Sequence, residues 1–328
     1  MRSLLPNPSI IYRGAPVPFD HKHLLGIEPL SKQDILTVLN TAESFVEIST
    51  REVKKVPILR GKNIINLFFE PSTRTRSSFE LAAKRLSADI VNFNRQFSSV
   101  VKGETLKDTV LNLEAMQSDA IIIRHACPGA PHYVSGFCRS HVINAGDGAH
   151  EHPTQALQDA FTIRQTKKNL EGLKIVIVGD ILHSRVARSN IYLLGKLGAE
   201  LVCVGPPALL PEEFKEFGIS IDYNLDRAIR GADVIMMLRI QTERQQKNLF
   251  PSLREYRELY SLSQERYRRA KKNAIIMHPG PINRGVEISA DLADSAKSVI
   301  LRQVENGVAV RMAVLYLLLG GKERETTD

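Results

Sequence analysis

Short runs of β-branched and aliphatic residues alternate with segments of helical period along almost the whole chain. That alternation is the signature of parallel sheets joined by crossover helices. The runs predict strands over Ile64–Phe69, Ile90–Phe93, Ala120–Arg124, Val142–Asn144, Lys174–Val178, Glu200–Val204, Asp233–Leu238 and Ala274–Met277. Phe79, Ala82, Ala83 and Leu86 share one helical stripe, as do Leu106, Val110 and Leu113; both stripes are read as core. The strands fall into two groups of similar make-up, joined through Pro153–Leu170. This linker is expected to be helical, with Pro153 in its first turn and Ala156, Leu157, Ala160 and Phe161 on a buried side. The predicted fold is α/β: two similar-sized domains, each a parallel β-sheet flanked by helices.

Open parallel sheets bind ligands beyond the carboxyl ends of their strands. Here those ends read Glu70-Pro71-Ser72-Thr73-Arg74-Thr75, Arg124-His125, Asn144-Ala145-Gly146-Asp147-Gly148, Gly179-Asp180, Arg239-Ile240-Gln241 and His278-Pro279-Gly280-Pro281. So many polar, basic or Gly/Pro endings point to one cleft between the domains. The first ending is the most informative, because Ser72, Thr73 and Thr75 bring hydroxyls and Arg74 and Arg76 bring guanidiniums to the start of a helix. Free backbone N–H groups and the positive dipole end add to these donors. Capping needs only one hydroxyl, and arginines at a positive helix end are unfavourable unless an anion compensates. The segment is therefore read as an oxyanion cradle.

Composition narrows the ligand. The 328 residues, 43% apolar and 24% charged, suit about two soluble domains, and Lys and Arg exceed Asp and Glu by 8. Nucleic-acid binders usually cluster their charge and interleave aromatics. This chain has no Trp, and its densest basic stretch, Arg254 to Lys272, alternates with Glu as a solvated helix face does. Small anions are the expected partners, with neither nucleic acid nor membrane. Cys127, Cys138 and Cys203 are too few and too irregular for a zinc site or a disulfide framework, so no metal and a reducing cytoplasm are expected. No apolar leader follows the start, and the longest strongly apolar stretch, Ala313 to Leu319, is far too short to cross a bilayer. The first twenty-odd residues, with Pro6, Pro8, Pro16 and Pro18, read as an extended arm, and Lys322 to Asp328 as a frayed tail. Gly179 follows a strand as a dinucleotide fingerprint would begin, but Asp180, Ile181, Leu182 and His183 come next and no G-x-G-x-x-G exists. No nicotinamide or other cofactor is expected.

Five further places carry candidate chemistry. Arg185, at the start of the helix after Gly179, reads as a carboxylate clamp. His152 and Gln155 share a face at the opening of the linking helix, whereas His125, His132, His141, His150 and His278 are read as ordinary partnered histidines. Arg239-Ile240-Gln241-Thr242-Glu243-Arg244 alone leaves a binding site and a salt-bridged loop equally open, and Gly280-Pro281 alone reads as a plain turn. Ser98 to Glu104 is a polar loop whose Lys102 nothing local explains.

Together these pieces resemble the aspartate carbamoyltransferases, from about Leu30 to Leu319. Ser72-Thr73-Arg74-Thr75-Arg76 matches the mark of all transcarbamylases, and Asn144-Ala145-Gly146-Asp147-Gly148 with His152-Pro153-Thr154-Gln155 is likewise typical. Ornithine enzymes resemble the phosphate half but carry His-Cys-Leu-Pro where this chain reads His278-Pro279-Gly280-Pro281; Arg239-x-Gln241-x-x-Arg244 is similar to the aspartate enzymes' pattern. Extra arginines suit a second carboxylate, whereas ornithine's cation needs a carboxylate or thiolate.

The resemblance implies condensation of carbamoyl phosphate with L-aspartate to N-carbamoyl-L-aspartate and phosphate, an early step of pyrimidine biosynthesis. It assigns the phosphate to Ser72, Thr73, Arg74 and Thr75, the carbonyl oxygen to Arg124, His152 and Thr75, and the carbamoyl NH2 to Gln155 and the backbone oxygens near Gly280 and Pro281. Arg185, Arg239 and Gln241 would bind the aspartate carboxylates, and Ser98 and Lys102 would reach in from a neighbouring subunit of a homotrimer. Glu70 is expected to bridge Arg185 and Arg244 when the domains close. Residues 1–165, with helix 298–320 packing back on them, would form the carbamoyl-phosphate domain, 166–297 the aspartate domain and 321–328 a tail. Gly280 stands where some relatives carry leucine, which is expected to matter only for the backbone. The arm before Leu24 is longer than the catalytic core requires, and the resemblance leaves open whether two trimers join regulatory chains or another pyrimidine-pathway enzyme. No Ser, Cys or Lys nucleophile with a partnering base is evident, so direct amine attack is expected without a covalent intermediate.

Overall fold

The computed structural model describes residues 19–94, 103–240 and 252–320. Its first half runs α1 (Lys32–Thr50), β1 (Asn63–Phe68), α2 (Thr73–Arg85), β2 (Asp89–Asn94), α3 (Leu106–Ala115), β3 (Ala120–His125), α4 (Ala130–Ser135), β4 (His141–Asp147) and α5 (Pro153–Lys167). The second runs β5 (Lys174–Val178), α6 (Arg185–Lys196), β6 (Glu200–Val204), β7 (Ser220–Asp222), α7 (Leu225–Ala228), β8 (Val234–Met237), α8 (Leu253–Tyr260), α9 (Gln264–Tyr267), β9 (Ile275–Met277), α10 (Ala290–Ala293) and α11 (Ile300–Leu319).

All strand pairings within the two sheets are parallel, in the orders β2-β1-β3-β4 and β7-β6-β5-β8-β9. Every predicted strand is found, with ends shifted by a few residues at most except where β4 runs on from Asn144 to Asp147. The sequence reading missed β7, because Ser220–Asp222 is too short to show an apolar run. It pairs only at the sheet edge, against β6.

The stripes of α2 and α3 are buried as expected, with Phe79, Ala82 and Ala83 at 0% exposure, except that Leu106 at the start of α3 is only half-buried. The linking helix differs from expectation. Residues Pro153 through Ile163 are buried on every side, not on one. The cause is packing: α11 returns to lie against α1, α2 and α5, while α6 covers α5 from the second sheet. One hydrophobic cluster therefore runs from Leu24 through Leu157 and Ile177 to Leu318 and joins the halves. In such a setting the buried polar side chains of α5 need protein partners, and Asp159 and Gln158 find them on α6 and α11. The Arg254 to Lys272 stretch behaves as a solvated face: Arg254 pairs with Glu258 and Arg269 with Glu265, while Tyr256, Tyr260 and Tyr267 turn inward.

The N-terminal approach is pinned as well. Leu24 donates its N–H to the Val142 carbonyl at 2.9 Å, and the Val142 N–H donates to His23 Nδ1 at 2.9 Å. That bond requires an unprotonated Nδ1, and burial, with the nearby charges of Lys22 and His141, holds the His23 pKa down at about 4. An unfolded chain takes up this proton near 6.5, well before the folded one does. The His23 contribution to stability is thus present above pH 6.5 and lost as pH falls towards about 4. Urea denaturation across that range should show His23→Gln losing less stability than the parent chain; parallel curves would remove His23 as the cause.

Candidate active site

In the first sheet the chain leaves β1 towards one edge and then returns to β3 on its other side; in the second, β5 and β8 stand in the same relation. The carboxyl ends of such neighbours splay their following loops apart and leave a crevice. A cavity of about 680 Å³ opens where both crevices meet, lined from the first sheet by Ser72, Thr73, Arg74, Thr75, Arg124, His152 and Gln155. Arg185, Leu238, Arg239 and the turn His278-Pro279-Gly280-Pro281 line it from the second. Ser98, Lys102, Gln241 and Arg244 lie outside the described residues.

The cradle is built by the start of α2. Ser72 is its N-cap residue in extended conformation, yet its hydroxyl makes no capping bond, and Ser72 to Thr75 line the cavity at the helix end whose N–H groups have no intrahelical partner. Thr75 Oγ1 lies 3.5 Å from His152 Nε2. His152 is fully enclosed, and burial, followed by the charges of Arg124, Arg311 and Arg185, drives its pKa well below the usual histidine value. The imidazole is therefore neutral at physiological pH. Gln155 turns its amide nitrogen to the buried Asp159, Nε2 to Oδ1 2.8 Å.

Arg74, Arg124, Arg185, Arg239 and Arg311 all line the cavity, and among the described residues no acid does. Glu70 stands against two of them: its Oε2 accepts from Arg185 Nη2 at 2.7 Å and lies 3.6 Å from Arg124 Nε. The Glu70–Arg185 half of the expected closing bridge is thus already made. Arg124 also donates to the Ala145 carbonyl, 3.1 Å away. Partial burial, and secondarily the charge of Arg239, press the Arg74 pKa down, which is the mark of a site that favours an anion.

Two glycines are needed for this approach. Gly146 has φ +115°, and a Cβ there would stand 2.8 Å from Arg185 Nη1 and 3.1 Å from Arg124 Nη1. Gly280 has φ +67°, and its Cβ would stand 3.0 Å from Arg74 Cζ. This corrects the sequence reading of Gly280: a leucine would press on the Arg74 side chain as well as on the backbone.

The five histidines read as ordinary each meet a partner. His125 Nδ1 accepts from Cys127 N–H, His141 Nδ1 meets the Lys22 carbonyl, His132 packs edge-on against His150, and His278 is buried against Glu287. His150 contacts Asp147, and with His132 these groups lie within 4.8 Å of one another, a spacing open to a metal. The Asp147 carboxylate, however, already accepts from Gly129 N–H, Asn144 Nδ2 and Glu151 N–H as well. It anchors the loop after β4.

Sequence reading missed Ser78, Gln158, Ser184, Gln303, Val304 and Arg311 in the lining. Arg311 was detectable as a lone cation in an otherwise apolar stretch of α11. Its Nη1 donates to Ser78 Oγ, Gln158 Oε1 and the Gly307 carbonyl, and its plane lies over Phe79, 5.1 Å to the ring centroid. Burial lowers its pKa to about 10, so it stays charged.

The carbamoyl-phosphate-binding domain of the aspartate/ornithine carbamoyltransferases matches residues 22–165, and their Asp/Orn-binding domain matches residues 171–318. The chain belongs to the aspartate/ornithine carbamoyltransferase family. Among its relatives, the aspartate carbamoyltransferase catalytic subunit of Syntrophotalea carbinolica is 61% identical, covering 94% of this chain and 98% of its own. That of Syntrophus aciditrophicus is 59% identical over 92% and 98%. In three dimensions, this carbamoyltransferase resembles Trypanosoma cruzi aspartate transcarbamoylase in complex with carbamoyl aspartate and phosphate, with TM-score 0.83, 31% identity and 90% and 95% coverage. Pyrococcus furiosus ornithine carbamoyltransferase matches with TM-score 0.83 and 31% identity over 94% and 100%.

Gly146→Ala tests the packing of the guanidiniums. The left-handed backbone alone should cost about 1–3 kcal/mol, and the methyl should displace Arg124 and Arg185 from the carbamoyltransferase site. Thermal denaturation together with turnover should show both losses; full turnover would mean that the arginines need not hold these positions.

Proposed function

We infer that this chain is an aspartate carbamoyltransferase, joining carbamoyl phosphate to L-aspartate to give N-carbamoyl-L-aspartate and phosphate in pyrimidine biosynthesis. One observation carries the reading at the level of chemistry: Thr75, Arg124, His152 and Gln155 from one sheet share a cavity with Arg185 and Arg239 from the other. The first group suits a phosphorylated carbonyl compound and the second suits carboxylates.

In this reading Ser72, Thr73, Arg74 and Thr75 hold the phosphate at the start of α2. Arg124, His152 and Thr75 surround the carbonyl oxygen. Gln155 and the backbone carbonyls at Gly280 and Pro281 receive the carbamoyl NH2, and Arg185, Arg239 and Gln241 take the carboxylates. The unprotonated amine of aspartate attacks the carbamoyl carbon, a tetrahedral intermediate forms, its C–O bond to phosphate breaks, and the departing phosphate accepts the amine proton. Charge develops on the carbonyl oxygen, where fixed donors act without reorganising. Neutral His152 serves as a hydrogen-bonding group, so its own titration lies below the working pH range. Juxtaposing the reactants supplies much of the remaining acceleration.

Residues 1–165, with 298–320 packed against them, form the carbamoyl-phosphate lobe of this proposal, and 166–297 the aspartate lobe. Contacts of α11 with α1, α2 and α5 support that division. A homotrimer with shared sites, to which a neighbouring subunit lends Ser98 and Lys102, and a cytoplasmic location complete the reading. Among the described residues no helix is long and apolar enough to cross a membrane.

A colorimetric assay should detect carbamoyl-aspartate from the purified chain and no product from ornithine; the reverse preference would overturn the substrate assignment. In the same assay Arg124→Ala should lose roughly 10²–10³ in rate, the usual cost of one oxyanion donor. Shared sites are tested by mixing: Arg74→Ala and Lys102→Ala chains, each inactive alone, should regain activity after their subunits exchange. Persistent inactivity of the mixture would argue that each chain works alone.

A further inference from the structure

An amide side chain can present either its oxygen or its nitrogen, and the two choices select opposite ligands. Resting on the proposed reaction, the role of Gln155 requires the oxygen to face the cavity, because the carbamoyl NH2 is a donor. Something must hold the amide that way round. We propose that Asp159, buried behind the site on α5, is the positioning residue that fixes the orientation of Gln155 and thereby makes the site select a carbamoyl over an acyl phosphate.

The donor and acceptor roles can be followed one bond at a time. The backbone N–H of His278 can only donate, and it donates to Gln303 Oε1 at 3.0 Å. Gln303 must therefore turn its nitrogen the other way, where Nε2 meets Asp159 Oδ1 at 2.8 Å. On the same oxygen Gln155 Nε2 arrives at 2.8 Å, and on the other Asn190 Nδ2 arrives at 2.9 Å. A carboxylate has only acceptors, so it forces all three amides to present nitrogen. Gln155 is left with its oxygen directed away from Asp159, and Gln155 lines the cavity.

Asp159 is fully buried, one turn after Gln155 on the same helix face. Burial raises its pKa to about 6, while the bonds from Asn190, Gln303 and Gln155 and the charge of Arg311 hold it from rising further. It is thus an acceptor through neutral pH. Its three amide partners come from α5, α6 and α11, so the same carboxylate ties the helices around the cavity together. Through Gln303 it also reaches His278, whose Nδ1 accepts from Gly280 N–H at 2.8 Å. Both proposed acceptors of the carbamoyl NH2, the Gln155 oxygen and the Gly280-Pro281 turn, are thereby held by one connected set of bonds.

The test is the ratio of affinities for acetyl phosphate and carbamoyl phosphate, which differ by CH3 in place of NH2. General damage to the fold weakens both ligands alike and leaves the ratio unchanged. The parent chain should bind carbamoyl phosphate roughly 10- to 100-fold more tightly, the range expected when a buried acceptor meets or misses its donor. In Asp159→Leu, which removes every acceptor at similar size, that ratio should fall to within about threefold of unity, with the loss in carbamoyl phosphate KM exceeding that in kcat. Asp159→Asn keeps one carbonyl oxygen for the two glutamines and should recover most of the preference. If Asp159→Leu does not fold, Asp159→Ser, which leaves one hydroxyl, is read by the same ratio. A preference unchanged in a folded Leu or Ser variant overturns the proposal. Absence of any preference in the parent chain would instead count against the carbamoyl phosphate reading itself.

Discussion

Like charges held close together in a site of low dielectric repel strongly, and this molecule brings five arginines to the wall of one cavity. Four of them are held in place by rigid elements, and Arg239 follows the end of β8. Arg124 ends a central strand, Arg185 opens a helix, Arg74 lies in the first turn of another and Arg311 is enclosed in α11. Glu70 offsets part of the repulsion by holding Arg185 while standing near Arg124. Gly146 leaves the room in which those two guanidiniums approach. What remains is a positive potential with fixed geometry, which makes it possible for two anions to lie side by side.

Charge alone would attract any pair of anions, so selection between one anion and another has to come from neutral groups. The low pKa of His152 and the amide orientation imposed on Gln155 belong together in this respect. Both follow from burial at the start of α5, whose residues Pro153 to Ile163 are enclosed by α6 and α11. A cation at position 152 would add to a site already rich in positive charge, whereas a neutral imidazole adds direction. The elements that look most structural, α5 and α11, therefore carry the polar residues that set the chemistry of the cavity wall.

Much of this was legible in the sequence because strand runs, turns and a cluster of hydroxyls with guanidiniums are local signals. Ser72 to Thr75, singled out by side-chain types alone, line the cavity, whereas Arg76, read with them, does not, and the strand ends marked the crevice before any sheet order was known. The parts that escaped are non-local. Asp159 reads as an ordinary helix residue until Asn190 and Gln303 arrive from distant segments. The full burial of α5 depended on the return of α11, which no periodicity within Pro153–Lys167 reports. β7 was lost for a different reason, since three residues at a sheet edge carry too little pattern. Gly280 looked like a backbone matter only, because its neighbour Arg74 is remote in sequence.

The fold by itself does not choose the amino-acid substrate. Aspartate and ornithine enzymes superpose on this chain equally well, with TM-score 0.83 in each case. The difference has to lie in a few side chains set on a shared frame, and electrostatics says which. Ornithine brings a cation that needs an anionic or polarisable partner, yet the second-sheet wall offers Arg185 and Arg239 and, among the described residues, no acid. Bringing an ammonium there would add to the repulsion that Glu70 only partly offsets, whereas a second carboxylate would relieve it. The same excess of positive charge that makes the empty cavity costly thus decides for a dicarboxylate, and no change in the two sheets is required to make that choice.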